Sequence, residues 1–282
     1  MKISLITACY NSAKTIKTAM ESVLSQKGVD IEYIIVDGGS NDGTVDIIKE
    51  FAARPIRPDS PSCPVIKWLS EPDRGMYDAI NKGIKMATGD IVGILNADDV
   101  LASDDTLAHI AEQFSHKEQE GQERGEEIDG HVDCVYADIR FVREGETVEV
   151  LRGARTVRYC SAAKWRPWMF RFAAMVPHPS FYVRRECLER LGGYSLDYRI
   201  CADFELELRY LYLAKLRAAY LPECVVVMRM GGMSTAGWRS NVVINREDLR
   251  ALRAHGIWSC LPLIYLKYLF KIWGFVLRPG WS

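Results

Sequence analysis

At 282 residues the chain is long enough for one large α/β domain with an appendage and for a sizeable buried core. With 36 Lys and Arg against 37 Asp and Glu, the net charge is −1, which gives no electrostatic case for nucleic acid as a partner. Eight Cys are scattered without a C-x-x-C pair, which excludes a small disulfide-stapled scaffold and fits free thiols in a reducing cytoplasm.

The first half alternates strand and helix signals. Ile3–Ala8 reads as a buried strand. Ser12–Gln26 reads as a helix, with Ile16, Met20, Val23 and Leu24 at helical spacing. Ile31–Val36 is a second strand and Asp42–Ala53 a second helix. Residues 54–64, with Pro55, Pro58, Pro61 and Pro64, form a loop. Val65–Leu69 is a third strand, Tyr77–Met86 a helix and Asp90–Leu95 a fourth strand. Such alternation predicts a doubly wound, mostly parallel sheet with helices on both faces. Right-handed crossovers then bring the strand-end residues Asp37 and Asp98 to one edge of the sheet. The N-terminus begins directly with a strand, so secretion is not expected.

Beyond residue 100 the signals are less regular. His116–Gly130 is nearly all polar and reads as a solvated insertion. Val132–Val142 is one strand or two, Phe181–Val183 a short strand, and Arg184–Leu191 a helix stopped by Gly192 and Gly193. Asp203–Leu213 is amphipathic, with Glu205, Glu207 and Arg209 between apolar positions. Val225–Met228 is a strand, followed by a Gly231–Ser234 turn. Residues 257–277 are rich in Leu, Ile, Trp, Tyr and Phe, with Lys267 and Lys271 as their charges.

Several segments carry candidate chemistry. Asp37 heads a Gly-rich turn, Asp37-Gly38-Gly39-Ser40-Asn41-Asp42-Gly43-Thr44. Its residues equally suit a plain turn, with Ser40 or Asn41 capping the next helix. Neither a dinucleotide fingerprint nor a P-loop is present. In Leu95-Asn96-Ala97-Asp98-Asp99, two adjacent carboxylates repel each other unless hydrated or sharing a cation, which points to Mg²⁺ or Mn²⁺. The competing reading is a turn whose Ser103 or Asp104 caps a following helix. Asp73 and Arg74 offer polar contacts at the sheet edge, while Asp78, Asn81 and Lys82 equally fit one exposed helix face. Asp203 fits either a catalytic acid or a first-turn helix acid. His178, and the exposed-type aromatic Trp168, are weaker candidates for an acceptor pocket.

Taken together, these segments resemble glycosyltransferase family 2, inverting enzymes of the GT-A fold. The resemblance spans roughly residues 2–235. It rests on Thr7-Ala8-Cys9-Tyr10-Asn11, the Asp37 turn, Glu71-Pro72-Asp73-Arg74-Gly75, Leu95-Asn96-Ala97-Asp98-Asp99, Gly192-Gly193-Tyr194 and Asp203, in that order. Bacterial enzymes of exopolysaccharide or colanic-acid-like assembly are the subgroup it resembles. The resemblance implies a nucleotide-sugar donor bound by Thr7, Ala8, Tyr10, Asp37, Asp73, Arg74, Asn96 and Ala97, with UDP favoured over GDP. It implies a metal held by Asp98 with Asp99, and Asp203 as the base. The first acid of the family's D-x-D motif is Asn96 here, a departure that weakens the metal inference without excluding it.

A catalytic domain over residues 1–235 is expected, with a donor half over about 1–100 and an acceptor half over about 131–235. A helical tail follows over 236–282. The tail reads either as packed on the domain or as a membrane-interface segment using Trp258, Tyr265, Tyr268, Phe270, Trp273, Trp281, Lys267, Lys271 and Arg278. The second reading expects a cytoplasmic protein peripheral on the inner membrane and a saccharide or polyprenyl-linked acceptor. Residues 229–234 are expected to form a lid. A non-catalytic nucleotide-sugar-binding scaffold is the alternative function, supported by Asn96 alone. A pyrophosphorylase would want a basic Gly-rich phosphate loop, which Thr7–Ser12 does not offer.

Overall fold

A computed structural model describes residues 1–53, 64–123, 131–143, 145–230 and 238–268. The expected alternation is present as β1 (Lys2–Cys9), α1 (Ile16–Leu24), β2 (Asp30–Asp37), α2 (Thr44–Ala52), β3 (Val65–Ser70), α3 (Met76–Met86) and β4 (Ile91–Ile94). β1 pairs in parallel with β2 and with β4, and β2 with β3, giving the order β3-β2-β1-β4. Successive β1 residues point to opposite faces. Leu5 therefore joins Ile16, Met20 and Val23 of α1, while Ile6 joins Tyr77 and Ile80 of α3. Helices cover both faces, as the apolar strands require.

The sheet continues with mixed polarity. β8 (Tyr182–Arg184) is antiparallel to β4, and β6 (Cys134–Val142) is antiparallel to β8. β9 (Ala218–Arg229) runs parallel to β6 with a register shift at Asp138. β5 (Val100–Leu101) closes one edge against β9, and β7 (Arg158–Cys160) pairs with β6. The remaining helices are α4 (Thr106–Glu123), α5 (Val148–Gly153), α6 (Arg185–Leu191), α7 (Ala202–Glu207), α8 (Trp238–Ala254) and α9 (Leu261–Tyr265). α7 runs on as a π-helical turn over Leu208–Leu213.

Four details correct the sequence reading. The polar stretch after His116 is not an insertion throughout, because α4 extends to Glu123; residues 124–130 lie outside the described residues. β9 begins at Ala218, well before Val225. Glu205 and Glu207 are buried rather than on a solvated helix face. Lys267 is also buried, in a 2.6 Å ion pair with Asp248 of α8. Of the lid expected over 229–234, Arg229 ends β9 and residues 231–234 lie outside the described residues, as do the tail residues Phe270, Lys271, Trp273, Arg278 and Trp281. Among the described residues, no helix is long and apolar enough to cross a membrane, and every described cysteine is a free thiol.

The amino-terminal ends of the strands are tied together by buried Glu32. Its carboxylate accepts from Ser4 Oγ at 2.7 Å, Thr88 N at 2.8 Å and Thr88 Oγ1 at 2.9 Å, and pairs with Lys67. Burial alone would raise its pKa, but these donors hold it down at about 2. This network lies at the opposite end of the strands from Asp37 and is structural.

Candidate functional site

The carboxyl ends of β1, β2 and β4 share one edge, since Cys9 stands in register with Asp37 and Ile6 with Ile94. Asp37 is fully buried there. Its carboxylate accepts from Gly39 N and Ser40 N, both at 3.0 Å, from Ser70 Oγ at 2.7 Å, and from Ser40 Oγ. Burial would raise its pKa, but these hydrogen bonds outweigh it and hold the carboxyl below its usual value. Asp37 thus shapes the loop after β2 with both oxygens.

That loop is stitched to the loop after β1. Asn11, at φ +49°, donates its N–H to Ser40 Oγ at 2.7 Å and accepts from Asn41 N at 3.1 Å. Neither Ser40 nor Asn41 caps α2, whose N-cap is Gly43; Asp42 just before it accepts from Thr44 N at 3.1 Å and from Ala13 N at 3.0 Å. Thr7 turns its side chain inward, donating to Leu95 O at 2.8 Å and meeting Tyr33 Oη at 3.0 Å. Ala8 is half-buried, and Tyr10 stands 63% exposed at the rim. Asp73 crosses this edge from the loop after β3. A Cβ at Gly38 would come within 2.5 Å of Asp73 Oδ2, so the glycine is what allows the approach. Arg74 is exposed and pairs with Asp78 at 3.2 Å.

The Asn96–Asp99 turn lies on the same edge after β4. Asn96 Nδ2 donates to Asp99 Oδ2 at 2.8 Å, Ala97 is buried, and Asp98 is half-buried. Asp99 is fully buried, and its Oδ1 has no hydrogen-bond partner. Burial first, then the neighbouring Asp98 charge, push the Asp99 carboxyl well above its ordinary value. Arg229, at the end of β9, donates to the Asp98 carbonyl and to Thr18 Oγ1 at 2.7 Å. Its charge lies close to both acids. Ser103 bonds Thr106 and Asp105 N as the expected helix cap, so both readings of this segment hold in part.

These residues fit a divalent cation. Asp99 Oδ1, a buried carboxylate oxygen without a donor beside the half-buried Asp98, could accept a cation in addition to the nearby Arg229 charge. No cluster of three or more His, Cys, Asp or Glu side chains suitable for a metal is found among the described residues. The set matches a cation that takes one or two protein carboxylates and completes its shell with phosphates.

Asp203 sits in the first turn of α7 and is half-buried. The helix is fixed from three sides. Glu247 of α8 accepts from Arg199 N, Ile200 N and Cys201 N at 3.2, 2.9 and 3.1 Å, which caps the start of α7. Tyr77, in the first turn of α3, donates to Ile200 O at 2.6 Å. Arg209 binds the carbonyls of Leu191, Gly192 and Gly193 and pairs with Glu205 at 3.0 Å. Asn81 then clamps Tyr194, donating to its carbonyl at 2.8 Å and accepting from its N–H at 2.9 Å. The Tyr77 and Tyr194 rings stack at 5.5 Å beside Asp203, whose charge helps raise both hydroxyl pKa values after burial does so. The candidate base therefore belongs to a rigid wall built on α3, which starts at the donor edge.

The two acceptor candidates are not brought together. His178 is half-buried in this wall, with Nε2 3.3 Å from Tyr194 Oη and Nδ1 3.7 Å from Glu207. Trp168 is 55% exposed on a short 3-10 turn, Pro167–Phe172, with its ring edge-on to Phe172. Sequence reasoning passed over Tyr77 and Glu247, read Glu207 only as part of an amphipathic helix and placed Arg229 in the lid rather than beside the acids. Of these, only Arg229 carried a signal, as a lone cation at the end of an apolar strand.

Residues 4–123 match the family model described as Glycosyl transferase family 2. A protein of Mycobacterium tuberculosis H37Rv, described as an uncharacterized glycosyltransferase, is 30% identical over 210 residues, covering 73% of this chain and 68% of its own. A PGL/p-HBAD biosynthesis glycosyltransferase of Mycobacterium bovis BCG is 28% identical over 249 residues, covering 88% of this chain and 83% of its own. Among solved structures, S. aureus TarS 1-349 in complex with UDP-GlcNAc superposes with a TM-score of 0.63 at 16% identity, covering 98% of this chain and 73% of that one. A second TarS 1-349 structure is covered over 65% of its length, with a TM-score of 0.60 at 17% identity. Mannosyltransferase PcManGT from Pyrobaculum calidifontis, in complex with GDP-Man and Mn2+, gives 0.60 at 22% identity over 97% of this chain and 72% of that one. At such identities the structural likeness establishes the fold, which is the GT-A fold expected from the sequence.

Proposed function

The chain belongs to glycosyltransferase family 2, and from that premise we propose that it is an inverting transferase of cell-surface polysaccharide assembly, moving a sugar from a nucleoside-diphosphate donor to a saccharide hydroxyl. One observation carries this reading. Half-buried Asp98 follows β4 at the donor edge, and half-buried Asp203 starts α7, which Tyr77 ties to α3, the helix that begins at that edge.

The donor would lie along the carboxyl ends of β1, β2 and β4. Tyr10 and the backbone around Ala8 would face the base, and Asp73 and Arg74 the ribose and sugar. UDP is favoured over GDP, because little but backbone lines the base position. Asp98 and Asp99 would hold Mg²⁺ or Mn²⁺, which supplies positive charge to the departing diphosphate when bound. Arg229 offsets the pair of acids from behind. Asp203 takes the proton of the acceptor hydroxyl as that oxygen attacks the anomeric carbon from the face opposite the diphosphate. The new C–O bond forms as the C–O bond to phosphate breaks, so the configuration inverts without a covalent sugar on the enzyme. The wall formed by Tyr77, Tyr194 and α8 would hold Asp203 in place for this proton transfer. Trp168 offers an exposed ring to an acceptor sugar, and a lipid-linked acceptor would bring the enzyme to the cytoplasmic membrane surface.

Calorimetric titration with UDP and GDP, each with and without Mn²⁺, followed by a glycoside and nucleoside-diphosphate product assay, tests the reading. Metal-dependent binding of one nucleotide and release of nucleoside diphosphate are expected. Binding without turnover against any acceptor would favour a nucleotide-sugar-binding scaffold instead.

A further inference from the structure

α8 separates its charges by side. Glu247 is turned inward to the start of α7, and Asp248 is buried in its pair with Lys267. The outer face then carries Arg246, Arg250 and Arg253, all exposed and close to i, i+4, i+7 spacing. None of the three makes an ion pair with a carboxylate among the described residues; Arg250 instead lies 4.9 Å from the Tyr198 ring centre. With Leu249, Ala254 and Leu261 they line a groove of about 520 Å³.

The groove opens beside exposed apolar side chains. Trp258 is 72% exposed, and Tyr265 and Leu266 stand out on and just after α9. From Ile257 to Tyr268 the chain has no acidic residue. Aliphatic walls, three guanidinium groups without a carboxylate partner among the described residues, and adjacent exposed aromatic and leucine side chains match a phosphate head joined to a hydrocarbon body. A nucleotide would want an aromatic face and polar partners for its base, which this groove lacks.

We propose that this groove seats the phosphate head groups of anionic membrane lipids, with Trp258, Tyr265 and Leu266 entering the interfacial layer beside it. The proposal rests on the reading that the acceptor lies at a membrane surface. It moves the source of basic charge from the tail lysine Lys267, which is buried, to the arginines of α8.

The test is cosedimentation of the full chain with phosphatidylcholine vesicles and with vesicles containing phosphatidylglycerol, at low and high salt. The wild type should partition onto the anionic vesicles, and less so at high salt. Replacing Arg246, Arg250 and Arg253 together by Gln should lower the partition constant about 100-fold. Trp258→Ala should weaken binding further, with less dependence on salt. Equal partition of the triple variant and the wild type, or equal binding to both vesicle types, would overturn the proposal. So would tight binding of inorganic phosphate that the triple variant loses, since that would assign the groove to a free anion. Nucleotide titration and thermal melting of the same samples separate the outcomes. Retained UDP binding without vesicle binding overturns the groove alone, whereas vesicle binding without any nucleotide binding counts against the transferase reading and leaves the groove standing.

Discussion

The Glu207 carboxylate lies 3.7 Å from Nδ1 of the half-buried His178, and Glu207 itself is fully buried one helical turn from Asp203. Neither Glu207 oxygen nor His178 Nδ1 makes a normal hydrogen bond. Burial pushes Glu207 up to about 8. Burial would lower His178, but the facing carboxylate outweighs it and the imidazole is raised. Both groups of the pair therefore hold their protons more tightly than the free side chains do.

That pair makes stability depend on pH. Both groups bind protons more tightly in the folded chain than in the unfolded one. Their contribution is fully present below the ordinary glutamate value and is lost as pH rises toward about 8. The melting temperature of the wild type should therefore fall between pH 5 and pH 8.5 relative to Glu207→Gln, which no longer takes up that proton. Parallel curves for the two proteins would sink the raised proton affinity of Glu207.

Asp203→Asn removes the proposed base while keeping its shape. The Oδ1 contact with Phe204 N, at 2.8 Å, survives the change. A loss in kcat of about 10²–10⁴-fold is expected, with donor affinity unchanged. Normal kcat in the Asp203→Asn enzyme would remove Asp203 from the chemistry.

Asp98 and Asp99 should behave differently from each other. Asp98→Ala takes away the half-buried ligand, so Mn²⁺ with UDP should no longer raise the melting temperature, whereas ligands at about 100 times Kd should stabilise the wild type by about 2.7 kcal/mol. Asp99 is pushed up by burial and by Asp98, so it is a costly charge in the absence of a cation. Asp99→Asn should leave the metal-free protein at least as stable as the wild type while weakening Mn²⁺ binding. If the metal-free Asp99→Asn protein were less stable, with Mn²⁺ binding intact, Asp99 would be purely structural.

The donor edge was legible in the sequence because the β1–β4 strands are continuous apolar runs separated by helices of clear period. Each carboxylate at a strand end is then placed by topology alone. The second half was less so. Glu205 and Glu207 alternate with apolar residues as an exposed helix face would, and only tertiary contacts with Arg209, His255 and His178 turn them inward. β9 was shortened because Pro222 and Glu223 interrupt its apolar pattern at the register shift opposite Asp138. α8 falls within the helical tail expected over 236–282, but its inward contacts were not legible for a related reason. Its acids bond inward to α7 and Lys267, and no local pattern distinguishes them from solvated ones. The role of Asp37 as a turn-builder was one of two readings the residues allowed, and its burial accounts for that one.

The Gly193 position offers the sharpest test of the wall behind Asp203. A Cβ there would collide with Asn81 Oδ1, the atom that accepts from Tyr194 N. Gly193→Ala should break that clamp, cost about 1–3 kcal/mol and displace Tyr194 from Tyr77. Because Tyr77 holds Ile200 at the start of α7, kcat should fall with donor affinity kept. Gly153, where a Cβ meets nothing within 4 Å, is the control, and Gly153→Ala should leave stability and activity unchanged. If both substitutions were equally silent, Asn81 and Tyr194 would not be what holds Asp203 in place.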